Sequence, residues 1–378
     1  MAALGGNQTL IVIQEGRAMY QWGKTQRGSI ALNQPRRRTA ARHFASTLER
    51  QHGGDWYFAP TSTAQSHDDT KPTTWKAAAC AFEHCCALSD QGQVFTWGSN
   101  SFGQLGHSEK TDVDVPTCIS EAAFGKQGVT NVSCSGWHSA AVSEDGRLWT
   151  WGRGTFGQLG HHDQYDKSAP TVLPPHVFGR LRVVQASCGC IHTCCVTLDG
   201  SLWSWGGGHY GQLGLKDKED RVTPTKLSRH AFHNLAIVVA CCGHSYTTAI
   251  TEKGTLYTWG DGRCGALGHG DLRERLEPTV VDITTLGGLQ ATWVSCGTDA
   301  TTFTLVVTAQ GSLFGCGSNS YGQLVCLSFL LDSLVGFPWQ TVRQYCRFAS
   351  TYKHAHEYTG ARRHGRQASI HRDSARPV

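Results

Sequence analysis

The chain repeats itself every 54 residues over most of its length. Trp-Gly pairs recur at this spacing, and a Gly-Gln-Leu-Gly string, or a close variant, begins five residues after each of their glycines. A cysteine recurs in the same phase. The three series are Trp97, Trp151, Trp205 and Trp259; Gly103, Gly157, Gly211 and Gly265; and Cys80, Cys134, Cys188, Cys242 and Cys296. Three markers that keep one period indicate a repeat protein.

Within each repeat the local pattern is that of β-hairpins. Residues 142–151 contain an Asp-Gly pair followed by alternating apolar positions that end at Trp151. Asp-Gly supplies the positive φ that tight hairpin turns need, and alternation predicts a strand with one buried face. A unit of this length holds about four short strands. Because such a sheet must stack against its neighbours, we predict an all-β fold, a β-propeller of four-stranded blades.

A third signal is a histidine that follows a glycine and precedes, or lies close to, a serine or threonine. We place His138, His192 and His244 in this series, together with His84, which lies 54 residues before His138. Because it recurs, we interpret it as a structural hydrogen bond between strands rather than a catalytic group. Together with the Trp-Gly and Gly-Gln-Leu-Gly strings, it resembles the regulator of chromosome condensation repeat family. The resemblance implies seven blades, of which about six are recognisable here.

The spacing of the markers divides the chain into four segments. Residues 1–35 contain a degenerate first repeat, and residues 36–75 form a polar stretch that we interpret as an exposed insertion. Residues 76–324 carry the clear repeats. Residues 325–378 contain none of the markers. This irregular tail has two interpretations that stay open, a disordered basic extension or a misread end of the protein sequence.

Charge is distributed unevenly between the tail and the rest. The tail carries eight basic and three acidic side chains, so it supplies the whole net charge of +5. The repeats are neutral, and we therefore expect no nucleic-acid partner except through the tail. No apolar run is long enough to span a membrane, and the N-terminus shows no secretory pattern. We expect an intracellular protein, cytoplasmic or nuclear, whose 16 cysteines are reduced.

Several stretches imitate chemical motifs. Gly152–Gly157, Gly206–Gly211 and Gly260–Gly265 match Gly-x-Gly-x-x-Gly, but no helical pattern follows any of them, so we predict no nucleotide cradle. Cys188 and His192 belong to a pattern that places single residues on different blades, which argues against a metal site. We find no catalytic constellation and predict no catalytic residue, no metal and no cofactor.

Differences between the copies are the best guide to binding. The loops between Trp-Gly and Gly-Gln-Leu-Gly vary, and loops on one face of a rigid scaffold commonly bind partners. Our candidates for partner contact are Asn100, Arg153, His209, Asp261, Arg263 and Asn319.

Two functions remain after these exclusions. The first is a non-enzymatic scaffold that binds a protein partner through loops on one face. The alternative, implied by the family resemblance, is guanine-nucleotide exchange on a Ran-like small GTPase. The constant spacing from Cys80 to Cys296 leaves no room for the extra strand that the Ran-acting family member uses, but exchange through another surface, such as residues 36–75, stays open. The family's light-sensing plant member carries a Gly-Trp-Arg-His-Thr signature that is absent here.

Overall fold

The computed structural model describes residues 74–298, 302–318 and 324, together with four earlier strands. In chain order the strands are β1 Ala2–Leu4, β2 Gln8–Ile13, β3 Ala18–Gly23, β4 Ala59–Pro60, β5 Trp75–Cys80, β6 His84–Ser89, β7 Val94–Gly98, β8 Val113–Cys118, β9 Val129–Ser135, β10 His138–Ser143, β11 Leu148–Gly152, β12 Lys167–Val172, β13 Val183–Cys188, β14 His192–Thr197, β15 Leu202–Gly206, β16 Arg221–Lys226, β17 Ile237–Cys242, β18 Tyr246–Thr251, β19 Leu256–Gly260, β20 Arg275–Val280, β21 Ala291–Cys296, β22 Phe303–Thr308 and β23 Leu313–Gly317. This part of the chain contains no α-helix.

Consecutive strands pair antiparallel and form the blades of a β-propeller. Five sheets have four strands, in the orders β1 to β4, β5 to β8, β9 to β12, β13 to β16 and β17 to β20. We call these blades A to E, and the three-stranded sheet β21 to β23 is blade F. The expected all-β propeller with four-stranded blades is confirmed. The described residues form five complete blades rather than seven.

Blade A includes a strand from the segment between residues 36 and 75. Its fourth strand, β4, pairs with β3 through Tyr20 and Pro60. This strand lies inside residues 36–75, which the sequence suggested to be an exposed insertion, and β5 begins at Trp75. Part of that segment therefore completes a blade. The tail at 325–378 lies outside the described residues.

Neighbouring blades pack face to face. The second strand of each of blades B to E is buried along its whole length, as β10 shows from His138 to Ser143. A strand buried on both faces needs a blade on each side. The first strands β9, β13 and β17 lie beside one another, and short 3-10 helices such as Glu121–Phe124 connect one blade to the next. Phe124 packs edge-on against Trp149 in the following blade.

The repeated tryptophans join adjacent blades. Trp151 is buried, and its indole Nε1 donates a hydrogen bond of 2.9 Å to the carbonyl oxygen of Gln104 in the preceding blade. Trp205 and Trp259 make the same bond to Gln158 and Gln212, at 2.8 Å and 3.0 Å. Trp97 is also buried. Each Gly-Gln-Leu-Gly string thus supplies the carbonyl that fixes the next blade's indole.

The histidine series forms a second tie between blades. His84, His138 and His192 are fully buried, and the Nε2 of each lies 2.8–2.9 Å from the hydroxyl of Ser139, Thr193 or Thr247 in the next blade. Burial lowers the pKa of His84 and of His138 to about 3, so both are neutral at pH 7.

His244 does not occupy the position that the sequence series gave it. The residue that pairs with Gly260, as His192 pairs with Gly206, is Tyr246. The hydroxyl of Tyr246 donates to the carbonyl oxygen of Phe303 at 2.5 Å, so a phenol makes the interblade bond here. His244 lies two residues earlier and is only partly buried.

Candidate functional site

Four equivalent loops form one surface, which we call the loop face. They are residues 99–112, 153–166, 207–220 and 261–274, each between the third and fourth strands of blades B to E. Because alternate turns of an antiparallel sheet lie at the same end, the connections between first and second strands, such as residues 136–137, also belong to this face.

Each of the first three loops is held by its own side chains. In blade C the amide oxygen of Gln158 accepts a hydrogen bond from the backbone N–H of Phe156 at 2.9 Å. The carboxylate of Asp166 accepts one from the backbone N–H of Gly154 at 3.0 Å. Blades B and D repeat both bonds. Since the carbonyl oxygen of Gln158 also binds the next blade, the loop is fixed at its middle and at both ends.

Asn100 is not available to a partner. Its side chain is fully buried, donates to the carbonyl oxygens of Glu109 and Thr111, and accepts from the backbone N–H of Leu105. A small amide that satisfies three backbone groups of its own loop has a structural role. The sequence pattern could not reveal this, because Asn100 varies between the copies as a surface residue would.

Arg153 lies at the centre of an aromatic cluster on the loop face. Its guanidinium carbon is 4.9 Å from the ring centroid of Phe102, 5.1 Å from that of Trp137 and 5.8 Å from that of Phe156. Phe102 comes from blade B and the other residues from blade C. All four side chains are partly exposed, so a cation and three aromatic rings share one accessible surface.

His209 extends this surface toward blade D. Its imidazole packs edge-on against Phe156, with ring centroids 5.6 Å apart, and its side chain is half exposed. The Nε2 atom lies 3.7 Å from the carboxylate of Asp220, which is a weak contact in an open setting.

Asp261 and Arg263 form an ion pair in blade E. The guanidinium of Arg263 donates to both carboxylate oxygens of Asp261, with a shortest distance of 2.6 Å, and stacks on the ring of Tyr210 at 4.7 Å. Burial alone would raise the pKa of Asp261, but the hydrogen bonds from Arg263 lower it below its ordinary value. Arg263 is the exposed member of the pair. Asn319 lies outside the described residues.

The aromatic residues of the loop face were not among the sequence candidates. Phe102, Phe156 and Tyr210 each precede a Gly-Gln-Leu-Gly string and therefore looked like part of the repeated turn. The signal that identifies them is a large aromatic side chain directly before Gly103, Gly157 and Gly211 in loops that are otherwise polar, whereas the fourth loop has Cys264 at this position. Trp137 has no counterpart in blades D and E, where Ile191 and Ser245 stand in its place.

The described residues contain no cluster of three or more His, Cys, Asp or Glu side chains that could hold a metal ion. Burial raises the pKa of Cys85, Cys188 and Cys195 well above the usual value, so these three thiols are protonated near pH 7. In this part of the chain no helix is long and apolar enough to cross a membrane.

Blades tied by tryptophan and histidine, with paired loops at one end, define a β-propeller built from homologous repeats. The chain belongs to the RCC1-like domain family, whose model matches residues 1–329. The resemblance read from the sequence motifs is thereby confirmed.

Curated relatives match the repeat region. The chain is 40% identical over 242 residues to the ultraviolet-B receptor UVR8 of Arabidopsis thaliana, covering 64% of this chain and 52% of that protein. It is 36% identical over 244 residues to the E3 ubiquitin-protein ligase HERC2 of Homo sapiens, covering 64% of this chain and 5% of the ligase. The match therefore spans about half of the receptor and a small part of the ligase.

Solved structures share the fold. Human WBSCR16 superimposes with a TM-score of 0.65 at 23% identity, covering 81% of this chain and 71% of that chain. Prp20p of Saccharomyces cerevisiae, whose structure is described with its binding to Gsp1p and histones, gives a TM-score of 0.56 at 21% identity. That match covers 88% of this chain and 85% of Prp20p. At these identities the likeness establishes the fold alone.

Proposed function

We propose that the chain is a non-catalytic β-propeller that binds a protein partner through the loop face. The observation that carries this proposal is the cluster of Arg153 with Phe102, Trp137 and Phe156. Aromatic and arginine side chains are the groups that most often dominate protein interfaces. Here they are exposed on loops held in place by hydrogen bonds, so little conformational entropy would be lost on binding.

The proposal is tested by removing the aromatic surface while keeping the fold. The full chain is immobilised and used to capture proteins from cell extract, in parallel with a Trp137→Ala, Phe156→Ala double variant. Leu198→Ala is the matched control, because Leu198 is 67% exposed in a turn at the opposite end of its blade. We expect specific binders to be lost with the double variant and kept with the control. Equal loss with both variants would contradict the use of this face.

Guanine-nucleotide exchange on a Ran-like small GTPase is the alternative function. It is supported by the shared fold with Prp20p, which is described as binding Gsp1p. The 54-residue spacing of blades B to F argues against an inserted strand in that region. A release assay with fluorescent GDP bound to recombinant Ran separates the two proposals. We expect that adding the chain leaves the rate of GDP release from Ran at its spontaneous value. An acceleration of about tenfold or more would favour the exchange function instead.

An intracellular location, cytoplasmic or nuclear, is part of the same proposal. It is supported by the buried Cys194 and Cys242, whose sulfur atoms lie 3.2 Å apart and form a hydrogen bond rather than a disulfide. Thiols this close persist unpaired where the surroundings are reducing. Fluorescence microscopy of the tagged full chain tests the location, and secretion into the medium would contradict it.

A further inference from the structure

Arg153 is a cation without an acidic partner among the described residues. Its Nε donates to the hydroxyl of Thr155 at 3.1 Å, and the aromatic rings cover its flat face. The nearby acids are engaged elsewhere. Asp163 pairs with Lys167 at 2.8 Å, and Asp166 accepts from Gly154 and from Lys110. The terminal nitrogen atoms of the guanidinium therefore keep donors for a group from outside.

Arg263 forms a similar site in which a carboxylate of the same chain already binds the guanidinium. Both arginines stack on the aromatic residue that directly precedes the Gly-Gln-Leu-Gly string of the preceding blade, Arg263 on Tyr210 and Arg153 on Phe102. Arg263 is neutralised by two hydrogen-bonded oxygens of Asp261, the residue directly after Trp259-Gly260. In blade C that position is Arg153 itself, so the loop holds the cation but lacks the carboxylate.

We propose that Arg153 anchors one carboxylate, from an aspartate or glutamate of a protein partner, whose apolar neighbours cover Phe102 and Phe156. This inference rests on the proposed function and names the chemistry of the partner. A planar guanidinium binds a carboxylate through two parallel hydrogen bonds, and stacking orients it beforehand.

The surroundings favour a carboxylate over a phosphate group. Arg153 is the single cation in its aromatic cluster, and loops 99–112 and 153–166 together carry four acidic side chains against two basic ones, Lys110 and Arg153 itself. A phosphate near pH 7 carries a charge of about −1.5 to −2 and would be repelled by these acids more than a carboxylate would. A single carboxylate matches the one uncompensated positive charge.

A displayed library of random dodecapeptides tests the inference. The library is selected separately on the wild-type full chain, on Arg153→Met and on Lys253→Met, whose exposed lysine lies in the turn between β18 and β19 at the opposite end of its blade, and the recovered peptides are sequenced. We expect peptides from the wild type and from Lys253→Met to share one acidic position beside aliphatic or aromatic residues. Peptides selected on Arg153→Met should lack this shared acidic position. Equal acidic enrichment on Arg153→Met, or enrichment of basic peptides on the wild type, would overturn the inference.

A synthetic peptide from the wild-type selection then isolates the pair of charges. Replacing its acidic residue by the amide should weaken binding to the wild type about tenfold and leave binding to Arg153→Met unchanged. Arg153→Lys keeps the charge but loses the parallel bonds, so we expect an intermediate affinity. If the amide peptide loses as much affinity for Arg153→Met as for the wild type, the carboxylate binds elsewhere and the inference fails. Tighter binding of a phosphoserine peptide would replace carboxylate by phosphate as the ligand.

Different outcomes would refute the carboxylate anchor at Arg153 and the use of the loop face as a binding surface. Peptides that need Trp137 and Phe156 but carry no acidic position would leave the loop face as the binding surface and refute only the carboxylate anchor. Peptides that bind the Trp137→Ala, Phe156→Ala double variant as well as the wild type would refute the proposed function too. Circular dichroism melting of each variant establishes that the fold is intact.

Discussion

The imidazole Nε2 of His138 lies 2.8 Å from the hydroxyl oxygen of Thr193, in the next blade. Thr193 uses its only hydroxyl hydrogen to donate to the carbonyl oxygen of Gln158 at 2.8 Å. His138 must therefore donate from Nε2, which fixes the neutral tautomer with a bare Nδ1. Within the described residues that buried Nδ1 has no hydrogen-bond partner, so a second proton there would add an unsatisfied charge.

Acid should destabilise the fold through these histidines. The pKa of His84 and of His138 is about 3 when folded, against an ordinary value of 6.5. Because the unfolded chain binds more protons between these values, stability is full above pH 6.5 and falls as the pH drops toward 3. From pH 7.5 to 5.0 we expect a loss of about 2 kcal/mol for each of the two, measured by urea unfolding.

His138→Gln is the variant that tests this assignment. Its amide keeps a donor of similar reach but does not titrate, so the loss between pH 7.5 and 5.0 should shrink by about 2 kcal/mol. A lower unfolding free energy of the variant at pH 7.5 does not affect the test, because the test compares the change between pH 7.5 and 5.0 within each protein. An unchanged acid dependence would mean that other groups cause the loss.

The buried tryptophans should be much more sensitive than their neighbours. Trp205→Ala removes a fully buried indole and should cost about 3–5 kcal/mol of unfolding free energy. Trp205→Phe keeps much of the volume but removes one of the two donors to the Gln158 carbonyl, because Thr193 still donates to it, and the lost hydrogen bond should cost about 0.5–1.5 kcal/mol. Trp203, two residues away, is partly exposed, and Trp203→Phe should change stability by less than about 1 kcal/mol. Similar effects at both positions would contradict the interblade role.

Two glycines with positive φ should differ sharply when replaced by alanine. Gly152 has a φ of 100°, and an added Cβ would lie 2.5 Å from the carbonyl oxygen of Trp137. Gly179 has a φ of 65° with nothing within 4 Å of the added atom. Gly179→Ala should cost about 1–2 kcal/mol for its left-handed backbone alone. Gly152→Ala adds a backbone clash and should cost clearly more in thermal unfolding, and equal costs would refute the close approach.

Blade F has a cavity where blades B to E have an indole. Cys316 occupies the position of Trp259, and a space of about 30 Å³ lined by Leu267, Phe314 and Cys316 lies between blades E and F. The Cys316 thiol already donates to the Ala266 carbonyl oxygen at 3.3 Å, as the indoles do elsewhere. Cys316→Trp should add about 0.5–2 kcal/mol by filling the space. A lower melting temperature would show that the indole does not fit.

The repeat sequence alone determined the class of fold. Trp-Gly, Gly-Gln-Leu-Gly and the hairpin turns are short-range signals, and their common period predicts blades that must stack. A period also predicts that equivalent residues have equivalent surroundings. For the buried tryptophans this holds, because Trp151, Trp205 and Trp259 all meet a glutamine carbonyl.

Only the tertiary structure decided which loop residues face solvent and what each contacts. Asn100 and Arg153 lie in equivalent loops, yet Asn100 folds back onto its own backbone and Arg153 stacks on aromatic rings. The cluster around Arg153 joins Phe102 and Trp137 from separate segments, and Tyr246 replaces a histidine through a register that no motif marks. Such contacts join residues that are distant in sequence. Their strength depends on geometry and burial, which the local sequence pattern does not determine.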